Sequence, residues 1–167
     1  MIFQNGWGND EPYLEYFDDA TVCNARIITG FSRPERNISE ITVHSAPILL
    51  GNLHGHSPGP LKPLADAINN GGLPCQTTTE LQKALWAKML YNCTLNPLGA
   101  ILGVPYGKLT ESPHSISIMN KVIVEIFEVM EASGYETYWG SADEYKKVFY
   151  GELVPNTAGH RSSTLQD

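Results

Sequence analysis

Basic charge is scarce in this sequence: 11 lysines and arginines stand against 18 aspartates and glutamates, giving a formal net charge of -7 and a pI near 5.1. A chain of that sign repels phosphate backbones and anionic lipid, so no nucleic acid and no membrane is expected as a partner. An acidic small molecule would need a local cation. Cysteine is scarce as well: Cys23, Cys75 and Cys93 are odd in number, widely spaced and free of metal-like pairing. They predict reduced, mostly buried thiols in a cytoplasmic protein. No apolar run reaches membrane-spanning length, and Met1-Ile2-Phe3-Gln4-Asn5 shows no basic region leading into an apolar stretch. Neither a transmembrane helix nor a signal peptide is expected, and the sequons at Asn37 and Asn92 are assigned no meaning. Internal repeats and low-complexity tracts are missing too.

What remains is globular in composition. With 167 residues, 42% of them hydrophobic and 17% charged, the chain can bury a core as one domain or two small ones. Asn5-Gly6 marks a turn, and a helix is predicted from Asn9 or Asp10 with Tyr13, Leu14 and Phe17 as its apolar side. Thr21 to Thr29 is rich in β-branched residues, and Ile41 to Ser45 alternates before Pro47, which suggests a bulge ahead of Ile48-Leu49-Leu50. The polar run Ser32 to Asn37 between them predicts an antiparallel hairpin or meander.

Gly51 to Pro60 reads as a loop. Its His54-Gly55-His56 is poorly spaced for helical ligands and lacks an apparent third partner, so no metal site is expected. A helix from about Lys62 to Asn69 should bury Leu64, Ala65 and Ile68 and stop at Asn70-Gly71-Gly72. Cys75-Gln76-Thr77 is extended, and Thr77 to Glu80 fits a capping box.

Beyond this point only helices are predicted. Ser112-Pro113 opens one whose Met119, Val122, Ile123, Ile126, Phe127 and Met130 follow the i, i+3, i+4, i+7 pattern, ending at Gly134. Ser141 to Glu144 is a second capping box, for a helix burying Tyr145, Val148 and Phe149 with Gly151 as its stop. A last polar helix should begin near Asn156 or Thr157 and continue past Ser162 and Ser163. The division between an α/β part and an all-α part falls at 76/77.

The most informative stretch is Leu85 to Leu98. Lys88, Asn92 and Asn96 are successive i, i+4 neighbours, so a cation and two amides lie on one line of a helix, beside an apolar stripe of Leu85, Met89 and Cys93. The line runs along the edge of the buried face, where a lysine can sit in a cleft. Pro97 cannot donate to the carbonyl of Cys93 and biases Asn96 away from helical angles. Asn96 therefore reads as the cap of a new short helix through Gly99 to Leu102. On pattern alone, a solvated lysine and a simple boundary at Asn-Pro are the commoner outcome.

Three segments carry a resemblance that spans nearly the whole chain. Leu85-Trp86-x-Lys88-x-x-x-Asn92-x-x-x-Asn96-Pro97-Leu98 resembles the signature helix of the ketopantoate reductases (2-dehydropantoate 2-reductases). Gln4-Asn5-Gly6-Trp7-Gly8 resembles that family's Gln/His-Asn-Gly-x-Gly turn, and Ser162 to Asp167 resembles its Ser-Ser-Met-Leu-Gln-Asp. A Lys-x-x-x-Asn pair alone is less specific, because related hydroxyacid dehydrogenases share it.

The resemblance implies an α/β remnant of a Rossmann-type domain, residues 1–76, holding the C-terminal part of an NADPH-binding domain. An all-α domain of the 6-phosphogluconate dehydrogenase C-terminal-like kind, residues 77–167, is implied to follow. It implies Lys88 as the catalytic residue, Asn92, Asn96 and Ser163 as substrate-binding residues, and Asn5 beside the nicotinamide. The implied cofactor is NADPH, and the implied substrate is a small keto acid. Two departures are plain: no Gly-x-Gly-x-x-Gly turn is present to seat a pyrophosphate, and the glutamate that follows the family's serine motif is missing. The chain thus reads as an internal portion of a longer reductase, inactive alone. Its strands are expected to lack neighbours and to favour a homo-oligomer. Two other functions remain open: reduction of another 2-keto or 3-hydroxy acid at the same site, and a non-catalytic helical association module.

Overall fold

The computed structural model describes residues 1–165 and resolves into two compact units, Met1–Leu81 and Gln82–Asp167. Gln166 and Asp167, the end of the serine motif, lie outside the described residues. The first unit is α/β and the second is helical, the order of classes expected from the sequence. No helix among the described residues is long and apolar enough to cross a membrane.

In the first unit, β1 (Asn24–Arg26) pairs antiparallel with β4 (Ile48–Gly51), and β4 pairs parallel with β5 (Cys75–Thr77). The parallel pair needs a crossover, supplied by α2 (Lys62–Asn70). One buried cluster gathers Ala25, Ile48, Leu50, Ala65 and Cys75, flanked by Ile27, Leu61, Ile68 and Leu73, and Ile2, Val22 and Cys23 are buried as well. Polar side chains do much of the remaining work. Asn52, itself buried, donates to the carbonyls of Asp19 (2.7 Å) and Val22 (2.9 Å) and accepts from the N–H groups of His54 (2.7 Å) and His56 (3.3 Å). Asn69 likewise pairs its amide with the backbone N–H (2.8 Å) and carbonyl (2.6 Å) of Cys75. Gly51 is required by close approach, because a Cβ there would meet the Thr78 carbonyl at 2.6 Å and Leu81 Cβ at 2.9 Å.

Several expectations for this unit need correction. The hairpin is formed by β2 (Thr29–Glu35) and β3 (Ile38–His44), so most of the polar run Ser32 to Asn37 is strand and the turn is only Arg36-Asn37. The ribbon is largely solvent-exposed, with Phe31 and Ile41 about half exposed, so polarity marks no strand end. Thr21 to Thr29 shrinks to β1, and Pro47 falls in a break between β3 and β4 rather than a bulge. The first helix, α1 (Glu11–Leu14), is a single turn with Tyr13 and Phe17 exposed. Its cap residue Asp10 makes no side-chain cap and instead meets His54 Nε2 at 3.1 Å. In α2 only Ala65 is buried and Leu64 faces solvent. Thr77 belongs to β5, and Thr78 Oγ1 accepts from the Glu80 N–H at 3.0 Å in place of the expected capping box.

The helical unit is built on α3 (Leu81–Leu102), α4 (Tyr106–Leu109), α5 (Pro113–Ala132) and α6 (Ala142–Val148). Its interior holds Leu90, Leu95, Leu109, Met119, Ile123, Tyr145 and Phe149, each with no exposed surface. Pro113 at the first position and Gly134 at φ 71° bound α5 as expected. Ser141 caps α6 by accepting from the Glu144 N–H (3.2 Å), the first half of the expected capping box, while the Glu144 carboxylate reaches one residue further back and accepts from the Gly140 N–H (2.8 Å). Gly151 does not stop this helix: the chain continues as a π turn, Phe149–Leu153, into α7 (Val154–Asn156). Pro155 has no N–H to give to the carbonyl of residue 151, so the ladder is already interrupted there, and burial of Phe149 and Val154 holds the widened turn in place. The expected last helix past Ser162 is absent from the described residues. After α7 the chain is irregular until a 3₁₀ turn, Ser163–Leu165.

Candidate functional site

Leu81, Ala84, Leu85, Trp86, Leu90, Thr94, Leu95 and Gly99 are all buried and distribute around α3, so this helix is enclosed on several sides. Lys88, Asn92 and Asn96 are half-buried within that setting, each about 6 Å further along the axis at 1.5 Å per residue. Contrary to expectation, α3 does not break at Asn96; it runs through Pro97 to Leu102. An interior proline costs about 3 kcal/mol. Here the ring is exposed, while Thr94 (2% exposed) and Leu95 (0%) before it and Gly99 after it are packed into the interior. Burial of both flanks outweighs the missing bond, so Asn96 remains helical and in line with Lys88 and Asn92.

A hydroxyl network meets the far end of this line. Tyr106, at the start of α4 and only 6% exposed, donates from Oη to Asn96 Oδ1 at 2.6 Å. The buried Ser162 hydroxyl bonds to the same phenol. Tyr91 Oη and Thr157 Oγ1 lie 2.6 Å apart, and the Tyr91 and Tyr106 rings meet edge to face at 6.1 Å. Burial pushes the Tyr91 phenol up to about 12, partly offset by its bond to Thr157, and burial raises Tyr106 against the opposing bond from Ser162. Both phenols therefore stay protonated at neutral pH and act as neutral donors. Desolvation likewise raises the Cys93 thiol and keeps it uncharged beside the amides.

Ser163 is exposed at the head of the 3₁₀ turn, whereas its neighbour Ser162 is 1% exposed and faces the Asn96–Tyr106 pair. Tyr106 escaped the sequence reading, and Ser162 entered it only as part of the serine motif, with Ser163 taken as the site residue. A four-residue helix has no periodicity to detect, and which of two adjacent serines turns inward depends on packing. Asn5 lies exposed in the first unit at a turn in which Gly6 (φ 109°) and Gly8 (φ 76°) take conformations that favour glycine. Its carbonyl accepts from Asn9 Nδ2 at 3.0 Å. His54 and His56 are committed to Asp10 (3.1 Å) and Asp19 (2.9 Å), and among the described residues no three His, Cys, Asp or Glu could share a metal ion. An open groove of about 650 Å³ along α5 and Lys146 is lined by none of the expected site residues Lys88, Asn92, Asn96, Ser163 and Asn5.

The family described as Ketopantoate reductase PanE/ApbA C terminal matches residues 80–167, more than half of the sequence. The chain belongs to the ketopantoate reductase family. Among its relatives is the 2-dehydropantoate 2-reductase of Aquifex aeolicus (strain VF5), 42% identical over all of this chain and 54% of that protein. The chain thus spans about half the length of the curated relatives it matches. Similar solved structures include a 2-dehydropantoate 2-reductase from Geobacter metallireducens GS-15 (TM-score 0.81, 22% identity, 99% of this chain and 54% of that one). A D-mandelate dehydrogenase in complex with NADH is also alike (TM-score 0.81, 20% identity, 99% and 55%). At these identities the structural likeness establishes the fold: a ketopantoate-reductase-type α/β part followed by a helical domain.

Proposed function

We propose that the intact protein is an NADPH-dependent 2-dehydropantoate 2-reductase of pantothenate and coenzyme A biosynthesis, acting in the cytoplasm on a small keto acid. The observation that supports this most is the unbroken line of Lys88, Asn92 and Asn96 on one buried helix, in a chain of the ketopantoate reductase family. In this reading residues 1–76 are the C-terminal part of the NADPH-binding Rossmann-type domain and 77–167 the substrate and catalytic domain.

The residues of this chain fit one end of the cofactor only. Asn5, exposed on a tight turn shaped by two left-handed glycines, offers an amide that would hold the nicotinamide carboxamide, while no Gly-x-Gly-x-x-Gly is present for the pyrophosphate. When bound, NADPH supplies the hydride. Lys88 does the complementary work: as the substrate carbonyl gains an electron pair, its ammonium stabilises the developing alkoxide and gives it a proton, leaving a hydroxyl. Asn92, Asn96 and the exposed Ser163 hydroxyl orient the keto acid without adding charge. Among these, the two asparagines share α3 with Lys88, so their spacing is fixed by the helix itself.

The test is NADPH oxidation by the intact gene product with a panel of keto acids. Turnover with 2-dehydropantoate is expected; turnover only with other keto acids would move the specificity elsewhere, and no nucleotide binding would leave an association module. Lys88→Arg keeps the charge but donates a proton poorly. It should fold, bind NADPH and lose about 10²-fold or more in kcat; near-normal kcat would remove Lys88 from the mechanism. We also propose a homo-oligomer, supported by the exposed Phe31 and Ile41 paired across the β2–β3 ribbon. A monodisperse monomer at high concentration in light scattering would overturn that.

A further inference from the structure

An asparagine side chain can present either its carbonyl or its NH2 to a ligand, and α3 alone does not decide which. In this structure a chain of hydrogen bonds does. The Thr164 N–H donates to Ser162 Oγ at 3.2 Å, Ser162 bonds to the Tyr106 phenol, and Tyr106 Oη donates to Asn96 Oδ1 at 2.6 Å. With Tyr106 donating to it, the Asn96 carbonyl oxygen is occupied and its NH2 is left to donate. Such chains polarise along their length, and in a buried setting they define one arrangement.

The support around this relay is specific. Gly99, one turn beyond Asn96, lets the two partners close in: a Cβ there would lie 3.3 Å from the Tyr106 ring and 3.7 Å from Ser162 Cβ. The backbone of α4 is tied to the segment before Ser162 by Tyr106 N–H to the His160 carbonyl (2.9 Å) and Gly107 N–H to the Ala158 carbonyl (3.0 Å). Arg161 ties the same segment to the end of α3 through the Gly103 carbonyl at 2.7 Å. The turn that carries Ser163 is therefore fixed to Asn96 by Tyr106, through backbone and side chain together.

We infer that Tyr106 is a positioning residue: with Ser162 it locks the Asn96 amide so that its NH2 faces an acceptor oxygen of the bound ligand, and it couples Asn96 to the Ser163 turn. The acceptor is a carboxylate or hydroxyl oxygen of the keto acid, and this part rests on the function proposed above.

Two measurements separate the relay from that function. In the 15N-labelled 167-residue chain, Tyr106→Phe removes one oxygen and should move the Asn96 side-chain NH2 signals more than those of other side-chain amides. Ser162→Ala should move the same signals less. Unmoved Asn96 signals in both variants overturn the relay whatever the enzyme does. In the intact reductase, Tyr106→Phe should raise KM for 2-dehydropantoate by about tenfold, the scale of one hydrogen bond. Its kcat should change by less than about twofold, and the KM effect should vanish when Asn96→Ala is already present. An equal rise in the Asn96→Ala background shows that Tyr106 acts only through general structure and overturns the positioning role. If the intact protein does not reduce 2-dehydropantoate, the proposed function falls, and the amide signals still decide the relay.

Discussion

The two halves of this chain hold themselves together differently. In residues 1–81 the buried apolar side chains described are small or aliphatic, among them Val22, Ala25, Ile48, Leu50, Ala65 and Cys75, and the loops are fastened by asparagine side chains that bond to several backbone groups at once. In residues 82–165 the interior is made of large leucine, methionine, tyrosine and phenylalanine side chains with no exposed surface, and polar groups there concentrate at the Asn96–Tyr106–Ser162 and Tyr91–Thr157 pairs. Apolar burial scales with area and is shared among many contacts, whereas a polar staple concentrates its effect in one residue. The first unit should therefore fail at single polar positions, and the second at large apolar ones.

The largest expected effect is on the second unit. Leu90, fully buried in the middle of α3, should cost about 2–5 kcal/mol on replacement by Ala. Denaturant unfolding followed by the fluorescence of Trp86 and Trp139 would measure it. A loss well under about 1 kcal/mol would mean that α3 is not the keystone its burial indicates.

Asn52→Ala should remove about 1–3 kcal/mol by leaving buried carbonyls and N–H groups without partners. Amide hydrogen exchange is the sharper readout, because faster exchange is expected around residues 19–56 and not along α5. Equal acceleration in α5 would erase the contrast between the halves.

The smallest effect is alkaline. Tyr91 has its pKa raised to about 12 by burial, against about 10 in an unfolded chain. The folded state holds that proton more tightly, so its contribution is fully present below about pH 10 and is lost as pH rises through about 12. Tyr106, Tyr145 and Tyr150 shift in the same direction. The melting temperature of Tyr91→Phe should fall less steeply than that of the parent chain over this range, and parallel curves would assign the alkaline loss to other groups.

Much of the helical half was legible in the sequence because its signals are local and repeated. The stripe Met119 to Met130, the Ser112-Pro113 start and the Ser141 cap each rest on spacing within one helix, and the structure reproduces them. Errors fell where a local rule met a buried neighbour. Pro97 and Gly151 read as helix ends, yet packing on either side carries the chain through both. The α/β half was harder to read, since its strands are three to seven residues long and the β2–β3 ribbon is largely exposed, which removes the apolar alternation that fixes register.

The sequence by itself determined the order of classes, the i, i+4 line of Lys88, Asn92 and Asn96, and the resemblance that identified the family, because helical periodicity places those side chains without reference to anything distant. Only the tertiary structure decided that the line continues through Pro97, that Ser162 and not Ser163 turns inward, and that Tyr106 donates to Asn96. Each of those outcomes depends on contacts between residues ten or more apart, and such contacts are settled by how buried surfaces fit together.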